Sequence, residues 1–360
     1  MLLAQGPCWP ATLRQARVQG VFPLLYGHLQ QLGFPGMPAE VRTELQAIYH
    51  MNAVRNTLLA HELTRVLRFL SDARVPVIPL KGVALAASLY GDITLRVCAD
   101  LDILVPRPLV AQTSRLLLAS GYRMVCTGRF FEDLLLRSGI EYTLVREGPR
   151  FPYYLELHWG VLWGGAREAA VIEDLWAEAC ATACFGVPAY SLSPEWELLF
   201  LAAHAARHRW QGLKWLVDIH EVCSTRQIDW EQVLEKAQRF GWGQLLHVTL
   251  SACQTLLGTP IPAPCAVGAL PPWLKLSLHS PAPLPWWHAF FALRLLQRRS
   301  DRLRYTLRVI LVPTLAERHL LRLPGSLSVL YYPLRPLRLG CKWGWWLVRA
   351  GWQRLMNIGR

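Results

Sequence analysis

Acidic residues are nearly missing from the last quarter of this chain. Residues 275–360 hold 15 Lys and Arg against 2 Asp and Glu, whereas residues 1–274 hold 23 of each sign. The formal net charge of +13 therefore belongs to that last quarter. Such an excess suits an anionic partner, either a membrane surface or nucleic acid. No Cys-x-x-Cys pair occurs, and the 9 cysteines are an odd number. This argues against a disulfide framework and fits reduced thiols in a cytosol. A long uninterrupted apolar run is also lacking. The longest stretch without a charged residue, 240–274, is broken by Pro260, Pro262, Pro264, Pro271 and Pro272 and interrupted by Gln244, His247, Ser251 and Gln254. No membrane span is expected there. Pro10, Arg14 and Arg17 come too early for a basic-then-apolar signal segment, and no internal repeat stands out. These absences lead to the expectation of a cytoplasmic protein, with membrane association open through the basic end.

What is present is apolar surface. Hydrophobic residues make up 52% of the 360, 16 of them Trp, and the mean hydropathy is +0.21, enough for a sizeable core in one large domain or two. Residues 21–32 and 39–73 have helical spacing, the second with a possible break near residues 52–57. An apolar run at 75–80 reads as a short strand, 83–90 as a helix closed by Gly91-Asp92, and 98–105 as a second strand. A helix at 110–120, a helical piece at 130–137 and paired strands at 140–146 and 153–159 follow. Helices are then expected at 172–183, 194–208, 213–223, 230–240 and 243–257, with Asp229 as an N-cap and Gln232 as its partner. After a proline-rich stretch, further helices are expected at 286–297, 303–311 and 343–355.

The chemistry gathers between residues 80 and 105. In a strand, Asp100 and Asp102 share one face while Leu101, Ile103 and Val105 take the other. Two adjacent carboxylates on a strand entering an apolar core are tolerable when a cation sits between them, which makes this pair a magnesium-site candidate. On that view, removing one of two repelling carboxylates should cost the fold little.

The ordered series Leu80-Lys81-Gly82, Leu89-Tyr90, Arg96, Asp100-Leu101-Asp102-Ile103-Leu104-Val105, Gly121-Tyr122 and Glu156-Leu157-His158-Trp159 resembles a bacterial group of uncharacterised nucleotidyltransferases within the polymerase-beta-like superfamily. The resemblance spans about residues 56–243. It implies an α+β fold: a polymerase-beta-like nucleotidyltransferase palm, a small mixed sheet with helices, at 56–165. An N-terminal helical segment at 1–55 and a helical domain at 166–258 would flank it, and a proline-rich connection with a basic, Trp-rich tail would follow at 259–360. It further implies transfer of a nucleoside monophosphate from a nucleoside triphosphate to a hydroxyl or similar acceptor on a small molecule or peptide, with Mg2+ or Mn2+ as cofactor. Asp100, Asp102 and Glu156 would be the catalytic and metal residues, Glu156 sharing a strand face with His158. Lys81, Gly82 and Arg96 would be nucleotide-binding. Gly82 lets backbone approach a phosphate, and Arg96 either meets a phosphate or pairs with an aspartate. One departure is Val83 after Gly82, where the superfamily has Ser or Gly. It motivates the alternative of a non-catalytic relative that binds nucleotide or a partner. An RNA-directed transferase is the other alternative.

His204 and His208 stand four apart on one predicted helix and Asp218 on the next, a spacing open to a metal; the resemblance implies instead a substrate-side role for them, together with His158. The run from Tyr331 to Arg338 and the Trp-rich run from Lys342 to Arg349 suit a membrane headgroup region, base stacking, or a packed helix with its basic face in water.

Overall fold

The computed structural model describes residues 6–125, 129–162, 168–265, 268–279, 287–342 and 344. By compactness the chain forms two units, Met1–Val125 with Ile140–His279, and Cys126–Gly139 with Ser280–Arg360. The expected helices at 343–355 and the start of that at 286–297 lie outside the described residues.

The first unit is an α+β arrangement around a small mixed sheet. Strands β1 (Ile78–Pro79), β2 (Leu101–Leu104), β3 (Arg123–Met124), β4 (Glu141–Arg146) and β5 (Tyr153–His158) lie in the order β1-β2-β5-β4-β3. The β2–β5 contact is parallel and the others antiparallel. β1 and β2 are shorter than their apolar runs suggest. Pro76 has no N–H to give a ladder, and only Ile78 and Pro79 at the end of the first run pair with β2.

Helices α1 (Trp9–Gln19) and α2 (Phe22–Gln31) pack Trp9, Leu13, Tyr26 and Leu29 on Val41 and Leu45 of α3 (Ala39–Asp72). Helix α3 runs 34 residues without a break, correcting the interruption expected near residues 52–57. The polar residues there face inward. Asn52 Nδ2 donates to the carbonyls of Thr94 and Arg96 at 3.0 and 3.2 Å, and Asn56 Nδ2 donates to Arg96 O at 2.7 Å. Buried amides with partners stabilise a helix face that periodicity alone reads as a gap. Glu62, six residues further on and also buried, accepts from Arg65, Tyr122 and Arg146, which ties α3 to the sheet.

After β1 come α4 (Val83–Leu85), widened into a π turn over Ala86–Tyr90, then β2 and α5 (Val110–Ala119). Beyond β5, α7 (Glu168–Ala177) stops well short of residue 183. Its expected end is instead β6 (Cys180–Cys184), paired antiparallel with β7 (Val187–Ser191). Phe185 and Gly186 both take positive φ, 49° and 75°, and this tight turn overrides the helical spacing. α8 (Pro194–Arg207), α9 (Leu213–Thr225), α10 (Trp230–Phe240), α11 (Gly243–Leu257) and α12 (Pro272–His279) complete this unit. Asp229 caps α10 as expected, its carboxylate accepting from the Glu231 and Gln232 amides.

The second unit holds α6 (Arg129–Ser138), α13 (Trp287–Leu295), α14 (Arg299–Leu311), α15 (Leu315–Leu320) and a helix over 331–342. Phe131 and Tyr331 centre its apolar cluster. Glu317 is fully buried and accepts from Thr314, Arg335 and Arg338.

Candidate active site

Three neighbouring strands put the acidic residues on one sheet face. In the parallel β2–β5 ladder Asp102 stands beside Glu156, and His158 follows two residues along β5. In the antiparallel β4–β5 ladder Glu141 stands opposite His158. His158 Nε2 lies 3.1 Å from Asp102 Oδ1 and 3.4 Å from Glu156 Oε2, and its Nδ1 lies 3.2 Å from Glu141 Oε2. Arg207 of α8 closes the far side, bonding both oxygens of Glu141 at 3.1 and 3.0 Å.

Lys81 enters from the end of β1. Its Nζ lies 2.6 Å from Asp102 Oδ2 and 3.6 Å from Asp100 Oδ1. The backbone around it is held against β2. The Leu80 amide donates to Asp102 O at 3.0 Å. Gly82 has φ 68° and ψ −136°, a region open in practice to glycine alone, and a Cβ there would sit 3.1 Å from the Asp100 carbonyl oxygen. Gly82 thus lets the Lys81 turn press onto the Asp100 backbone.

Lys81, Asp102 and His158 are buried, while Asp100 and Glu156 are partly exposed. Burial alone disfavours charge on Lys81, Asp102, His158 and Glu156. For Asp102 the Lys81 ammonium and the His158 bond outweigh it and hold the carboxyl well below its usual range. For Lys81 the charges of Asp102, Asp100 and Glu156 outweigh it and keep the ammonium protonated. His158 is likewise carried up to about 9, against burial, by Asp102, Glu156 and Glu141. Glu156 moves up, through burial and the negative charge of Asp102.

One oxygen or nitrogen from each of Asp102, Glu156 and His158 lies within 4.8 Å of the others. The two carboxylates at that separation are oxygen donors suited to a divalent cation of the magnesium or manganese kind, with His158 holding them in place. The sequence thus picks out residues that the fold brings together: Asp100, Asp102, Glu156, His158, Lys81 and Gly82.

Arg96 and Asp218 form a separate pair. The buried Arg96 guanidinium bonds the fully buried Asp218 carboxylate through Nε at 3.0 and 3.1 Å and through Nη2 at 2.9 Å. Tyr90 Oη donates to the same carboxylate at 2.8 Å. This triad fastens α9 to the segment leading into Asp100. His204 and His208 lie along α8 and its cap beside Trp215 of α9, with His208 stacked on the indole at 4.4 Å between centroids. Burial pushes His204 well below the ordinary histidine value, helped by the positive charge of Lys81. His208, whose ring also reaches solvent, is lowered to about 4 by burial and then by Arg207.

Sequence reasoning passed over Glu141 and Arg207. Glu141 was legible by counting: with the turn at 147–150, Arg146 faces Tyr153, and the ladder then sets Glu141 opposite His158. Arg207 left no comparable signal.

The family model described as "Uncharacterised nucleotidyltransferase" matches residues 6–258. The chain belongs to this family. The matched span includes every residue of the acidic cluster. No curated protein matches this nucleotidyltransferase. Two solved structures are similar to it. One is an antigenic nucleotidyltransferase-like protein from Paracoccidioides brasiliensis, at 16% identity and TM-score 0.38, covering 56% of this chain and 89% of that one. The other is the antibiotic-resistance factor ANT(2'')-Ia, at 15% identity and TM-score 0.36, covering 54% and 97%. At these values neither likeness bears on the details of the site.

Proposed function

We propose that this nucleotidyltransferase moves a nucleoside monophosphate from a nucleoside triphosphate to a hydroxyl or similar acceptor on a small molecule or peptide, using Mg2+ or Mn2+. The observation that carries the reading is the meeting of Asp102, Glu156 and His158 on adjacent strands within 4.8 Å. Asp102 and Glu156 would hold the cation, with Asp100 at the exposed edge and His158 fixing both carboxylates. A divalent ion held there would supply positive charge for the transferring phosphoryl group and its pyrophosphate leaving group. Glu156, whose carboxyl burial moves up from its ordinary value, takes the proton of the attacking hydroxyl. Lys81 and Gly82 form the nucleotide side. Arg96, committed to Asp218, serves it by fixing the approach to Asp100. The His204, His208 and Trp215 wall forms the acceptor side, with its imidazoles neutral. The test is pyrophosphate release with each nucleoside triphosphate and a panel of hydroxyl acceptors. Magnesium-dependent release lost in Glu156→Gln, with nucleotide still bound, supports the reading; unchanged rates in that variant contradict it.

A second proposal concerns an anionic bilayer surface as partner. Leu303, Leu307 and Leu311 recur every fourth residue along α14 and are 60%, 47% and 48% exposed, with Arg304 exposed beside them. Apolar side chains flanked by arginine suit the headgroup boundary of such a membrane. No described helix is long and apolar enough to cross one.

A further inference from the structure

Asp102 divides its two oxygens between different partners. Oδ1 faces the cluster side, 3.1 Å from His158 Nε2, with Glu156 on the same side of the imidazole. Oδ2 faces Lys81 Nζ at 2.6 Å, and the same ammonium reaches Asp100 Oδ1 at 3.6 Å. The space between the two aspartates of the Asp-x-Asp pair, where a cation is called for, is therefore taken by a side chain of the protein itself.

That side chain is built in. Lys81 is only 7% exposed, so its ammonium has no alternative place in solvent without unpacking. The residues on either side are pinned to the same strand that carries the aspartates, Leu80 through its amide bond to Asp102 O and Gly82 through its close approach to Asp100 O. The Ala86 amide donates to Gly82 O at 3.1 Å and starts the following helix, which fixes the turn from its other end.

Resting on the transferase reading above, we propose that the Lys81 ammonium stands in place of a second divalent cation, so that the cluster takes one such ion rather than two. Geometry supports this count: the one ammonium already meets an oxygen of each aspartate, Asp102 Oδ2 at 2.6 Å and Asp100 Oδ1 at 3.6 Å. A second divalent ion would have to displace a buried, paired ammonium from the oxygen it needs. The arrangement also gives Asp100 and Asp102 different duties. Asp102 serves both cations, and Asp100 serves Lys81.

Mn2+ alone is the probe, counted through the loss of the free-ion electron paramagnetic resonance signal on the full chain. Wild type is expected to bind one Mn2+ in the cluster, lost in Asp102→Asn. Lys81→Met, which keeps the length of the side chain without its charge, is expected to bind two. Asp100→Asn removes a partly exposed group, carries little risk to the fold, and should keep the single ion with affinity within about threefold of wild type. Two ions on wild type, one ion on Lys81→Met, or loss of the ion in Asp100→Asn each overturns the role of Lys81 and leaves the transferase reading standing. No Mn2+ on either wild type or Lys81→Met overturns both.

Discussion

Asp102 sits fully buried between an ammonium and an imidazole, so it serves the fold as well as the chemistry. The sequence suggests a carboxylate repelled by its neighbour and cheap to remove; the structure shows the opposite, because Lys81 would be left buried with Asp100 as a poorer partner. Asp102→Asn should lower metal-dependent turnover by at least about a hundredfold. It should also lose about 3 kcal/mol in urea unfolding, the scale of a broken buried pair. Full stability in the variant would show that Lys81 finds another counter-ion. His204 supplies a pH prediction. Burial holds it well below the ordinary 6.5 in the folded chain, so the unfolded chain binds the proton more tightly. Its contribution to stability is present above about pH 6.5 and is lost as the pH falls below that value, at up to about 1.4 kcal/mol per pH unit. Thermal melts between about pH 7 and 5 should show a shallower decline in His204→Gln than in wild type; equal slopes would contradict it. Asp102 was legible from the Asp-x-Asp spacing and Glu156 from its place in the ordered motif series; the parallel register then sets the two side by side. The Lys81 contact was not, since no spacing rule says that an ammonium will turn back between two aspartates.

At the scale of elements, the site depends on how α9 is fastened. Arg96, Tyr90 and Asp218 join that helix to the loop entering β2, far from the acidic cluster in chemistry but close in consequence. Asp218→Asn leaves a buried guanidinium without its counter-charge and should cost about 3–5 kcal/mol in chemical unfolding. Below its melting transition the variant should still bind Mn2+, because the cluster ligands are untouched; loss of Mn2+ binding in a folded variant would move Asp218 into the metal site. Most long helices and the β4–β5 pair were legible from periodicity and turn residues. The β6–β7 hairpin was not, because Cys180–Cys184 is short, small-residued and joined to α7 without a helix stop. It is set by the left-handed pair at Phe185 and Gly186 and by the Tyr190 amide bonding Val77 O at 2.8 Å, a contact between residues more than a hundred apart. The unbroken course of α3 was hidden for a similar reason. Asn52 and Asn56 look like solvent residues until the carbonyls of residues 93–96 come to meet them.

For the whole molecule, the sequence already separates a charge-balanced body from a basic end. It does not show that residues 126–139 cluster with residues 280–360, since Phe131 and Tyr331 pair across 200 positions without any local signature. The basic unit with its exposed α14 leucines should sediment with vesicles containing phosphatidylserine and release them as salt rises, because screening weakens the arginine contribution. Replacing Leu303, Leu307 and Leu311 together by Ser should weaken that association about tenfold or more, as apolar burial is lost; unchanged sedimentation would assign the association to charge alone. The central claim, that the sheet face at Asp102 is a cation-dependent nucleotide site, is tested most directly by calorimetry. Each of the common nucleoside triphosphates would be titrated into wild type and Asp102→Asn, with and without Mg2+. The account predicts binding of at least one of them to wild type only when Mg2+ is present, and its loss in the variant. Binding that ignores both Mg2+ and the substitution, or no binding of any nucleotide, would contradict it.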